Sequence, residues 1–178
     1  MDMTPQVEIP GYVADSWLID TVHSTVSFQA RLLGVFKSRG TFDDFEGTVV
    51  TAGNPLDSSA NVIIKTASVN TKNEKRDKDL RKAYLNVGKY PTITFASTGV
   101  RAEEDHFLID GDLTILATTK RVTLNLRPTS FDADGKSPAR FTAHTEISLG
   151  EFGVPRGPAS VIGDKITVNL EIQATRKN

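Results

Sequence analysis

The sequence predicts an all-β fold of long antiparallel strands with a single helix. Three observations carry that expectation: apolar and polar residues alternate along most of the chain from Trp17 onward, short turn-forming pairs separate the alternating runs, and only the stretch 73–87 switches to helical spacing. At 178 residues the chain has the length of one domain with its own core. We divide it into an N-terminal extension over 1–16 and a β domain over 17–178.

The first clear strand spans 24–32, where Ser24, Val26, Phe28, Ala30 and Leu32 share one phase and Thr25, Ser27, Gln29 and Arg31 the other. Shorter or less regular strands are expected over 36–42, 45–51, 61–70 and 92–100. Between 73 and 87, Leu80, Ala83, Tyr84 and Val87 fall at helical intervals, with Thr71 and Glu74 placed to form a capping box and Gly88-Lys89-Tyr90-Pro91 to stop the helix. Alternation then returns over 107–115, 122–126, 141–149 and 166–174, for nine candidate strands in all. The pairs Asp43-Asp44, Glu104-Asp105, Asp134-Gly135 and Gly163-Asp164, and the triplet Gly53-Asn54-Pro55, mark turns, and Gly153 to Pro158 reads as a surface loop. Neighbouring strands joined by such short links are antiparallel.

A sheet with one apolar face buries it by packing on a second sheet or by closing on itself, so sandwich and barrel both satisfy the pattern. The inward rows mix small residues (Ala30, Gly47, Gly111, Ala143, Ala174) with Phe28, Phe45, Phe95 and Phe141. In a closed sheet this mixture either leaves a hollow interior or fits small against large in a filled one.

Composition narrows the function. Lys and Arg total 21 against 22 Asp and Glu, so the chain lacks the positive field that gripping a phosphate backbone requires, and nucleic acid is not an expected partner. With no cysteine, disulfides, thiolate metal sites and cysteine nucleophiles are excluded. The first residues are acidic and never develop the basic head and apolar run of a secretory signal, and no stretch approaches the length of a membrane-spanning helix. The expected location is the cytoplasm.

The candidate chemistry is thin. Asp20, His23 and Ser24 hold triad residue types, but neighbours on a strand face opposite sides, so His23 is badly placed to serve Ser24 as base. His23, His106 and His144 lie far apart with no metal-ligand spacing. Asp132-Ala133-Asp134-Gly135 opens like a calcium loop but continues into Lys136-Ser137-Pro138-Ala139, which supplies none of the later ligands. Neither a catalytic residue, a metal nor a cofactor is expected. The helix carries Lys75, Arg76, Lys78, Arg81 and Lys82 against Glu74, Asp77 and Asp79. A solvated face, or one that meets an anionic head group, would both account for this excess.

Taken in order, several motifs resemble the YceI-like family of polyisoprenoid-binding proteins. They are Asp20-Thr21-Val22-His23-Ser24 leading to Phe28, Gly40-Thr41-Phe42, Phe45-Glu46-Gly47, Arg76-Asp77 with Leu80-Arg81, Tyr90-Pro91-Thr92-Ile93-Thr94-Phe95, Gly111-Asp112-Leu113-Thr114-Ile115, Thr119-Lys120 and Phe152-Gly153. The chain departs from the family pattern at Ala117, Thr118, Arg121 and Leu149. The resemblance implies an extended, eight-stranded antiparallel barrel of lipocalin type whose lumen holds a long amphiphile: an isoprenoid quinone, a polyprenyl phosphate or a fatty amide. It also implies a homodimer, and binding or transport without catalysis. On that footing the wall comprises Val26, Phe28, Ala30, Phe45, Ile93, Phe95, Leu113, Ile115, Leu124, Phe141, Ala143 and Val168. The motif matches suggest His23, Ser24 and Arg76 for the head group. The competing reading is a closed-core interaction module that displays loops such as 153–161 and holds no ligand.

Overall fold

In the computed structural model, which describes residues 9–32, 36–134, 136–155 and 162–177, eleven strands form one antiparallel sheet that closes on itself. They are β1 (Asp15–Ile19), β2 (Thr25–Leu32), β3 (Phe36–Phe42), β4 (Phe45–Thr51), β5 (Ser59–Lys65), β6 (Val69–Asn70), β7 (Thr92–Ala102), β8 (Phe107–Ile115), β9 (Thr118–Ser130), β10 (Ala139–Ser148) and β11 (Ile162–Arg176).

Register shows why eleven segments make a barrel of eight staves. Both β1 and β2 run antiparallel to β11, Ile19 opposite Ala174 and Thr25 opposite Glu171, so they are one stave interrupted by the turn at 20–24. β3 and β4 likewise continue one another along that stave, with Phe42 opposite Val26 and Thr48 opposite Leu18. β5 and β6 form the third, pairing with β4 and β3 respectively. The long strands β7 to β11 complete the ring, and β11 closes it on β1 and β2. Full closure leaves the barrel few free edges, which suits a chain this rich in strand.

Five details of the sequence reading need correction. β1 is an additional strand: its run Trp17-Leu18-Ile19 has no clean alternation, and only the barrel partners β4 and β11 show that Trp17 and Ile19 face inward. The stretch 61–70 is two strands, because Thr66 to Ser68 make a 3₁₀ turn in which the buried Thr66 hydroxyl donates to the Tyr90 carbonyl (2.8 Å). The helix is shorter than 73–87. α1 covers only Glu74–Asp79 and passes into a π turn over Leu80–Tyr84, with the Leu85 amide donating back to the Leu80 carbonyl. Its cap is Asn73, whose side chain accepts from the Arg76 amide (3.0 Å), while Thr71 instead donates its hydroxyl to Asp77 (2.5 Å), so no Thr71–Glu74 box forms.

Gly163-Asp164 is not a turn but the start of β11, at a register shift against β2. The turning is done earlier, by a 3₁₀ turn over Gly150–Phe152 that ends on Gly153 at φ 71°, and the Asp164 carboxylate accepts from the Ser148 hydroxyl (2.5 Å) and the Gly150 amide (2.8 Å) to hold it. The other proposed turns lie between strands, except that Gly135 falls outside the described residues, as does 156–161 of the 153–161 loop. Of the N-terminal extension, residues 9–14 and the start of β1 are described. Tyr12 donates to the Ala52 carbonyl (2.5 Å) and its ring meets Phe131 edge-on, which ties this segment to the barrel end.

Outside, one polar cluster crosses three staves. Arg101 donates through both Nε and Nη2 to the two oxygens of Asp110 (2.8 Å each), and Thr123 donates to the same carboxylate (2.6 Å). The Arg101 hydrogen bonds hold the Asp110 carboxyl well below the usual carboxylate range, with Thr123 adding to the effect. A carboxyl depressed in the folded state stabilises it above the unfolded value of about 3.8, and that contribution is lost as pH falls through and below it. We expect Asp110→Asn to show a smaller fall in urea midpoint between neutral pH and about pH 3 than the parent. A modest difference is expected, since the half-buried carboxylate and its exposed Arg101 partner lie on the water-facing side of the sheet.

Candidate functional site

Alternation sends Val26, Phe45, Ile93, Phe95, Phe141, Ala143 and Ile147 into the barrel, all of them buried. One end of the interior is packed solid. Trp17 (1% exposed) lies against Ala139 and Ala174, both fully buried and directly opposite one another, and Phe131 bridges to Trp17 and Phe141 by edge-on contacts. The Trp17 indole N–H donates to the Thr51 hydroxyl (2.8 Å). At this end the small residues of the inward rows make room for an indole rather than for a hollow.

Further along the barrel the walls stand apart and enclose two apolar chambers. The smaller, about 120 Å³, borders the Trp17 end and includes Ile9 and Tyr12 of the N-terminal segment in its wall. The larger, about 220 Å³, extends towards the helix and the 149–155 turn. Val26, Val62, Phe95, Leu124 and Leu170 line both, so the chambers abut at a waist made by five different strands.

Two aromatic rings lie flat along the wall because glycine faces them. A Cβ on Gly111 would sit 2.5 Å from Cε2 of Phe95, and one on Gly40 would meet the ring of Phe28 and come within 2.9 Å of the Thr71 methyl. Part of the space that small residues leave is thus taken by neighbouring rings, which are thereby kept out of the centre. Gly47 serves the same purpose for Ile19.

The far end of the larger chamber is shaped by the helix. The switch from α to π geometry adds a residue to the turn and re-aims the side chains after it. Leu80, Tyr84 and Leu85 therefore line the chamber, whereas Ala83, expected on the apolar face, is exposed. Asp77, itself buried, accepts from the amide and hydroxyl of Thr71 (2.8 and 2.5 Å), and Arg76 donates from Nε to that hydroxyl (2.9 Å) and from Nη2 to the Thr71 carbonyl (3.1 Å). This network pins the helix start to the end of β6.

All twelve wall residues named from the sequence line one chamber or the other. Phe45, Phe141 and Ala143 belong to the smaller; Phe28, Ala30, Ile93, Leu113, Ile115 and Val168 to the larger; Val26, Phe95 and Leu124 to both. Of the three polar residues, Arg76 lines the larger chamber. His23 and Ser24 line neither: they sit at the 20–24 turn, where His23 is exposed and its Nδ1 pairs with Asp20 (2.8 Å). The Ser24 hydroxyl donates to the Gln173 carbonyl and accepts from the Gln173 amide, stitching β11 across the break between β1 and β2. Sequence reasoning missed Ile9, Tyr12, Leu80, Tyr84 and Leu85 as wall, the last three because their placement depends on the π turn.

Polar side chains in the larger chamber's wall are mostly turned into the wall. Thr145 donates to the Thr123 carbonyl (2.8 Å), Ser27 to the Asn169 carbonyl (3.2 Å) and Thr71 to Asp77. The space they border is left to hydrocarbon.

A family model described as the YceI-like domain matches residues 17–174, nearly the whole closed barrel. The chain belongs to the YceI-like family. Protein YceI of Escherichia coli O157:H7 is 42% identical over 144 residues, covering 78% of this chain and 75% of its own length. Among solved structures, the YceI-like barrel here matches Campylobacter jejuni YceI (TM-score 0.73, 25% identity, 81% of this chain and 88% of that one). It also matches Burkholderia cenocepacia BcnA (TM-score 0.80, 21% identity, 88% and 99%). A domain from Saccharophagus degradans, described as polyisoprenoid-binding, shares the fold at TM-score 0.70 and 17% identity over 93% and 100% of the two chains. Among the described residues of this YceI-like protein, no helix is long and apolar enough to cross a membrane.

Proposed function

We propose that the protein sequesters one long-chain, isoprenoid-like amphiphile in its lumen and carries or stores it without chemistry. The observation that supports this most is the pair of abutting chambers, walled by aliphatic and aromatic side chains on every stave. Each methylene moved from water into such a space contributes about 0.8 kcal/mol, so a tail of several isoprene units reaches useful affinity with no strong polar contact. The polyisoprenoid-binding description of the Saccharophagus degradans domain agrees with this reading. An isoprenoid quinone, a polyprenyl phosphate and a fatty amide all fit the chemistry of the walls.

Catalysis would need convergent polar groups at one spot in the lumen, and the wall hydroxyls of Ser27, Thr71 and Thr145 are instead engaged by the protein. A loop-displaying module would have no use for internal space of this kind. Native mass spectrometry of purified protein, followed by solvent extraction, is expected to release a prenyl or long-chain amphiphile. If no lipid is recovered and the stripped protein takes up neither a quinone nor a polyprenol, the sequestration reading fails.

A further inference from the structure

We propose that Gly111 determines how long a chain the lumen accepts, by giving the Phe95 ring a place against the wall at the waist. The inference rests on the sequestration reading and adds the class of guest: a single linear chain that threads from the larger chamber past Phe95 into the smaller.

Phe95 on β7 stands opposite Leu113 on β8, and Gly111 is the next inward position along that strand, opposite Ser97. The ring leans along the wall onto this glycine, so Gly111 is buried yet lines neither chamber. Phe95 lines both, with Val26, Val62, Leu124 and Leu170 around the same belt. Aromatic side chains occupy discrete rotamers, so a ring denied its seat does not shift slightly but moves to another well. Side chains at an inward-facing strand position stand roughly perpendicular to the sheet, so a ring that cannot lean onto Gly111 projects further into the lumen. A methyl at Gly111 would therefore turn the ring from wall into partition. From Ile166 in the larger chamber to Ile172 in the smaller, β11 runs about 20 Å, a span that an extended chain would cover in passing the shared belt.

The test compares a short and a long all-trans prenol, farnesol and solanesol, on delipidated full-length protein. Wild type is expected to bind both, solanesol more tightly. Gly111→Ala is expected to keep its farnesol affinity and to lose about tenfold or more for solanesol. Because the added Cβ would also lie 2.8 Å from the Ala96 carbonyl, two further variants are included. Phe95→Leu, with the glycine intact, is expected to favour solanesol over farnesol more strongly than wild type does. Gly111→Ala/Phe95→Leu is expected to recover solanesol binding. A folded Gly111→Ala that holds solanesol like wild type, a double variant that fails to recover it, or a Phe95→Leu variant with unchanged discrimination overturns the proposal and leaves sequestration standing. Wild-type protein that binds neither prenol overturns sequestration itself, and this proposal with it.

Discussion

Ala30→Trp is expected to weaken binding of a long prenol by about a hundredfold while the barrel still forms. Ala30 is buried on β2, opposite Ser38 on β3 and Ile166 on β11, and lines the larger chamber. An indole there fills space that the guest would otherwise occupy. Excluding roughly four methylenes from the chamber forfeits about 3 kcal/mol, which corresponds to the hundredfold loss. Extra bulk in a packed core normally strains the structure, but an open chamber can accept it, so circular dichroism should show unchanged strand content. Fluorescence titration with solanesol provides the measurement. Ala143→Trp is the natural contrast, because Ala143 lines the smaller chamber. It should impair solanesol more than farnesol, since a short chain can stay on the helix side of the waist. Equal loss of both ligands in Ala143→Trp would mean that the chambers are not filled in series.

Trp17→Ala is expected to cost about 3–5 kcal/mol of folding stability, read as a fall in the urea midpoint. The indole is 1% exposed, packs on Ala139 and Ala174, and meets Phe131 edge-on at 5.8 Å. Those alanines have no atoms with which to close the gap, so most of the cavity would persist. Trp17→Phe keeps much of the packing and removes the indole donor to Thr51, so it should lose less. A small effect for Trp17→Ala would show that this end of the barrel is not the mechanical plug its burial indicates. The two substitutions separate the two halves of the interior: Ala30→Trp should strike binding and spare stability, and Trp17→Ala the reverse.

The strands were legible wherever one face is buried and the other wet, because the period of two then appears directly in residue type. β2, β8, β10 and β11 were read this way, with β10 running from Ala139 to Ser148 in strict buried-and-open alternation up to His144. β1 was not, since Leu18 faces out between Trp17 and Ile19 and is apolar itself. The helix was placed but overextended. Helical periodicity in 73–87 cannot distinguish an α turn from a π turn, and the Thr71-Asp77 contact that displaces the expected capping box forms only once β6 brings Thr71 to the helix start.

The wall residues followed from strand phase and family motifs together, and all twelve line the chambers. The polar residues fared differently. His23 and Ser24 belong to a motif whose local work is to bridge the break between β1 and β2, with Ser24 bonded to Gln173 on a strand nearly a whole chain away. No local pattern announces such a partner.

By itself, then, the amino-acid sequence determined the strand phases, the antiparallel connections and the absence of cysteine chemistry, because each depends on a residue's own type and its nearest neighbours. Tertiary structure decided which inward side chains meet: that Ala139 and Ala174 would seat Trp17 as a plug, that Gly111 would hold Phe95 aside, and that five strands would share one belt between the two chambers. The physical reason is that whether a small inward residue opens a space or receives a neighbour's ring depends on the side chain across from it. Closure of the sheet is what sets that partner.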